Sequence, residues 1–94
     1  MATFFLFGRY SADALSKVSA KRTQKAHKLI EDLGGKVVGI YGLLGEHDLV
    51  IITELPSMTE AVKVSIALRR ETDISFSTAA AIPVDQFDQI VGEM

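Results

Sequence analysis

The hydrophobic pattern is clearest from Lys36 to Glu54, KVVGIYGLLGEHDLVIITE, which reads as two β-strands joined by a tight polar turn at Gly45-Glu46-His47-Asp48. The first strand, Lys36 to Leu44, is β-branched or aromatic at Val37, Val38, Ile40 and Tyr41, and is interrupted by Gly39 and Gly42. The second, Leu49 to Thr53, is apolar at consecutive positions, so both of its faces are expected to be covered. Upstream, Thr3 to Phe7 predicts a strand reaching Arg9 or Tyr10. Phe4 and Leu6 share one face and Phe5 and Phe7 the other, and neither face is polar. A helical region follows in two pieces, around Ala12 to Lys17 and Ala20 to Leu33, with Ser11 as a cap. Ala26, Leu29, Ile30 and Leu33 form its apolar stripe, and Gly34-Gly35 ends it.

Pro56 breaks the chain after the second hairpin strand, and Ser57 or Thr59 can start a further helix. Ala61, Val64, Ser65 and Leu68 define its inward stripe, with Val62 and Ile66 flanking. Asp73 to Ile82 predicts a fourth strand of small residues, with Ser75, Ser77, Ala79 and Ala81 on one face. Pro83 and Asp85 open a short terminal helix whose Phe87, Ile90 and Val91 need an apolar neighbour.

This order is the split βαβ arrangement, α+β and ferredoxin-like (βαββαβ), with a four-stranded antiparallel sheet and an extra C-terminal helix. Residues 1–94 make a single domain. Two helices cover one face of such a sheet, so Phe5 and Phe7 on the other require a second sheet. A homodimer with sheets face to face, of the dimeric α/β-barrel type, supplies it, and higher assembly is compatible with the pattern.

Composition adds mainly exclusions. A formal charge of −2 gives no general basic face for nucleic acid. The cluster Lys17, Lys21, Arg22, Lys25 and Lys28 reads as the solvated side of a helix. With no cysteine there is no disulfide and no thiolate chemistry. No apolar run approaches the length of a membrane span. MATFFLFGRY is too short and too alternating for a secretory leader, so a cytoplasmic setting is the expectation.

Three stretches carry a family resemblance: Leu44-Gly45-Glu46-His47-Asp48-Leu49-Val50-Ile51-Ile52, the opening Phe4-Phe5-Leu6-Phe7-Gly8-Arg9-Tyr10-Ser11, and the junction Leu33-Gly34-Gly35-Lys36-Val37. Together they resemble the GYD-domain family, with His47 standing where that family's name implies tyrosine. A similar glycine-x-aromatic-aspartate turn occurs in effector-binding domains of leucine-responsive-type regulators. The resemblance implies this fold and self-association.

His47 is the leading candidate for chemistry, because an imidazole titrates near neutrality and Glu46 and Asp48 flank it. Against this stands its reading as a turn histidine that fills space. Asp48 suits a turn-organising carboxylate better than a catalytic base. Arg9, Tyr10, Tyr41 and His47 form the candidate ligand-binding set, with Arg9 able to neutralise a carboxylate. Adjacent residues rarely aim at one ion, so Glu46-His47-Asp48 is not expected to bind metal, and no cofactor is expected. The expectation is therefore a small oligomeric module, without nucleic-acid or membrane partners, that binds a small ligand near its subunit interface or serves as an assembly or regulatory unit. The alternative is a cofactor-free enzyme of the dimeric α/β-barrel type, monooxygenase- or isomerase-like, using His47.

Overall fold

Strand β1 (Ala2–Tyr10) lies inside a four-stranded antiparallel sheet with β2 (Lys36–Gly42), β3 (Leu49–Leu55) and β4 (Ile74–Ala81), in the order β2-β3-β1-β4. Helices α1 (Ala12–Ser16) and α2 (Ala20–Asp32) connect β1 to β2, α3 (Met58–Thr72) connects β3 to β4, and α4 (Val84–Glu93) follows β4. The computed structural model describes residues 1–94, and its strand order and helix placement are those of the ferredoxin-like arrangement with an added terminal helix.

Local chemistry sets the boundaries. Ser11, Ser19 and Ser57 each sit in extended backbone and accept from the first turn of α1, α2 and α3, at Ala14 N (2.9 Å), Arg22 N (3.1 Å) and Thr59 N (3.2 Å). After α2, Gly34 has φ of +82°. A Cβ on Gly35 would stand 2.4 Å from Leu55 Cδ2 and 2.9 Å from the Glu54 carbonyl oxygen, so this junction needs a glycine for close approach. β2 ends at Gly42, two residues before the sequence suggests. The Leu43 N–H donates to the Asp48 carbonyl at 2.8 Å, which draws Leu43 and Leu44 into the loop.

The register assigns the faces. Phe4 pairs with Thr53 and Leu6 with Ile51, so all four share the side on which α2 and α3 pack. With Ile30, Leu55, Val64 and Leu68 they form the core. Full burial of a side chain such as Leu6 is worth roughly 1.5–3 kcal/mol. Thr53 is polar yet fully buried, and its hydroxyl donates to the Lys36 carbonyl at 2.8 Å, which satisfies it. On the opposite face Phe5 pairs with Ile52 and Ala79, and Phe7 with Val50 and Ser77. Phe5, Phe7 and Ile52 remain partly exposed there, because the chain supplies no second layer. A shift between Val37 and Gly39 leaves Val38 unpaired and outward on β2.

Candidate functional site

The hydrogen bonds that hold the loop between β2 and β3 to β1 are made by Asp48. Its backbone N–H donates to the Gly8 carbonyl at 2.9 Å, and its carboxylate Oδ2 accepts from the Tyr10 N–H at 3.0 Å. Asp48 thus ties the loop to the end of β1, as a turn-organising carboxylate does. Its carboxylate is already engaged by backbone.

Fixing Asp48 places His47 over the open sheet face. The imidazole lies against Phe7, with ring centroids 5.0 Å apart and a tilt of 33°. Phe7 in turn neighbours Phe5, at 6.2 Å between centroids. His47 Nδ1 is buried with no hydrogen-bond partner in the protein. A ring nitrogen removed from water without a partner is costly, and is the kind of group a ligand satisfies.

The other candidate residues divide between the two faces. Arg9 shares the open face with Phe5 and Phe7, and its guanidinium approaches Glu46 at 3.7 Å, both side chains being largely exposed. That pair contributes little to stability and leaves the guanidinium available to another anion. Tyr41 pairs with Val50 across the ladder and so lies on the open face too. Its ring leans back over Gly39, where a Cβ would come within 2.9 Å of it. Tyr10 does not join them. It immediately follows Arg9 on β1 and so points to the helix side, where the Arg22 guanidinium sits 5.6 Å from its ring centroid. There it borders an apolar cavity of about 50 Å³ beside Ala26, Ile40 and Ile74.

Arg9, Tyr41 and His47 therefore stand at one end of an uncovered aromatic face, with the Ser75 and Ser77 positions beside them. The partnership of Phe7 with His47 depends on the β1–β3 register, which no local pattern reveals. No group of three His, Asp or Glu side chains converges as metal ligands. A broad concavity lies elsewhere, an open depression between α2 and α3 rimmed by Lys21, Lys25, Lys28 and Lys63. Its lysines are separate and solvated, and it lies away from the open face. No helix is long and apolar enough to cross a membrane.

Three solved chains match this one, and two of them have a TM-score of 0.58. The leucine response regulatory protein of Mycobacterium tuberculosis is 12% identical, over 87% of this chain and 51% of its own. An AsnC family transcriptional regulator from Agrobacterium tumefaciens is 17% identical, over 87% of this chain and 50% of its own. At these identities the likeness is one of fold, and this chain spans about half the length of either regulator. Comparison with curated proteins finds no match. The GYD-domain profile matches residues 4–91, nearly the whole length, and the chain belongs to the GYD-domain family.

Proposed function

We propose that this protein is a self-associating binding module that holds a small carboxylate-bearing ligand at or near the junction of two open sheet faces. The uncovered aromatic face carries the proposal. Phe5, Phe7 and Ile52 stay partly exposed on it with no second layer of this chain over them, an arrangement that favours a second copy over isolation. At the edge of the open face, Arg9 offers a charge-assisted contact, Tyr41 a phenol and His47 an unpaired ring nitrogen. An anionic group with an apolar body suits that combination. The fold shared with the two regulators supports a binding or regulatory role.

The test joins mass to affinity. Native mass spectrometry of the wild-type protein is expected to show an even-numbered oligomer, and Phe7→Arg is expected to weaken it. A thermal-shift screen of amino acids and small carboxylates is expected to give a shift that Arg9→Ala removes. A 10 kDa species at micromolar concentration would refute the association, and a uniformly flat screen would refute the carboxylate site. His47 Nδ1 also favours a second reading, acid–base catalysis without a cofactor. Turnover of a discovered substrate that is unchanged in His47→Ala would remove it.

A further inference from the structure

Two parts of the chain lack a partner, and their chemistry matches. Helix α4 is amphipathic: Val84, Phe87, Ile90 and Val91 fall on about a third of its circumference, continued by Met94. All of these residues are exposed, and no element of the body packs extensively against α4. The molecule measures 48 Å in its longest dimension and 18 Å in its shortest. Its Cα radius of gyration of 14.2 Å exceeds the roughly 12 Å of a compact chain this long, as a helix standing off the body requires.

On the body, an apolar groove of about 320 Å³ lies open between α3 and the edge strand β4. Met58, Val62 and Ile66 form one wall, at i, i+4 and i+8, and Phe76 and Ala80 contribute the other. No charged side chain lines it. The α3 wall is about 12 Å long and α4 about 15 Å, so groove and helix are of similar length. Only Ile82 and Pro83 separate β4 from α4, and Pro83 is extended, at φ −58° and ψ 146°. The chain therefore carries α4 onward and leaves its own groove unfilled.

We infer that α4 of one copy docks its apolar stripe into the α3–β4 groove of a second copy, which returns its own α4 in exchange. The reciprocal contact closes on a two-fold axis and leaves neither helix nor groove free. Charge agrees. All ten cations precede Pro83, while three of the twelve acids (Asp85, Asp88 and Glu93) lie in α4, so a helix of net charge −3 meets a body of net charge +1. This surface lies on the helix side of the sheet, so the exchange does not depend on packing of the open faces.

Because the chain lacks cysteine, the contact is testable by cross-linking. Val62→Cys and Val91→Cys, made separately and carried on chains of different tag size, are mixed and treated with a short bis-maleimide. Exchange predicts a mixed-size species in at least tenfold excess over a control mixing Val62→Cys with His27→Cys. Adding Phe87→Asp to the Val91→Cys chain is expected to abolish that excess. Because Phe87 is exposed in the single copy, this change leaves the body's fold intact, which far-ultraviolet circular dichroism checks. A yield no greater than the control would overturn the inference. So would a double variant that cross-links only within one chain. The species is expected to persist in Phe7→Arg, and its loss there would overturn the independence of the two surfaces.

Discussion

Replacing Asp48 by alanine isolates the one side-chain hydrogen bond that fastens the β2–β3 loop to β1. The backbone bonds from Asp48 N to Gly8 O and from Leu43 N to Asp48 O survive the change, while the 3.0 Å bond from the Tyr10 N–H to Oδ2 does not. A hydrogen bond to a charged acceptor is worth about 1.5–3 kcal/mol. The half-buried setting of this one lowers the expectation to about 1–2 kcal/mol. For a chain of this size that corresponds to a fall in Tm of roughly 5–15 °C. Asp48→Asn keeps an acceptor oxygen and is expected to recover more than half of the loss. Urea unfolding at one fixed protein concentration measures both variants, since association would otherwise contribute to stability. Amide exchange at Tyr10 reports the bond itself, and the ring-current shift of His47 against Phe7 reports the loop. If Asp48→Ala lies within about 0.5 kcal/mol of wild type, or Asp48→Asn costs as much as alanine, the tethering role is wrong.

Three other outcomes are expected. Gly35→Ala drives a Cβ against Leu55 and the immobile Glu54 carbonyl, and an overpacking cost of about 1–3 kcal/mol is expected in the same unfolding assay. His47→Phe keeps the stack on Phe7 and removes an unpaired buried nitrogen, so stability is expected to hold or rise by about 0.5–1 kcal/mol while the ligand response is lost. The Glu60 carboxyl sits below the usual carboxylate range, chiefly because the Ser57 hydroxyl donates to it at the start of α3. A depressed folded value contributes stability above the unfolded pKa and loses it as pH falls through the folded one. Ser57→Ala is therefore expected to raise the Glu60 titration midpoint in an NMR carboxyl titration and to flatten the acid limb of the stability curve.

Much of the fold was legible because local signals agreed with one another. Serine caps precede α1 and α3, Gly34 closes α2, and the double-sided apolar run of β1 belongs to an interior strand. The two helical pieces before β2 also fall where the sequence places them. Leu43 and Leu44 continue an apolar run into the loop, because the turn is closed by the Leu43–Asp48 backbone bond that no residue pattern encodes. The candidate site was legible in part. Asp48 acts as the turn residue that its position suggests. Grouping Tyr10 with Arg9 overlooked the alternation of a strand, which sends consecutive side chains to opposite faces. The contact of His47 with Phe7 joins residues forty positions apart and follows only once β1 and β3 are in register.

The unpaired Val38 makes the two edges of the sheet unequal. β2 is interrupted there, whereas β4 runs regularly from Ile74 to Ala81 against β1. An irregular edge is a poor template for an incoming strand, and a regular edge of small side chains is a good one. Aggregation by strand addition would then proceed in one direction only, from β4. A partner seated in the groove beside β4 would act as a chaperone built from the same sequence, shielding that edge.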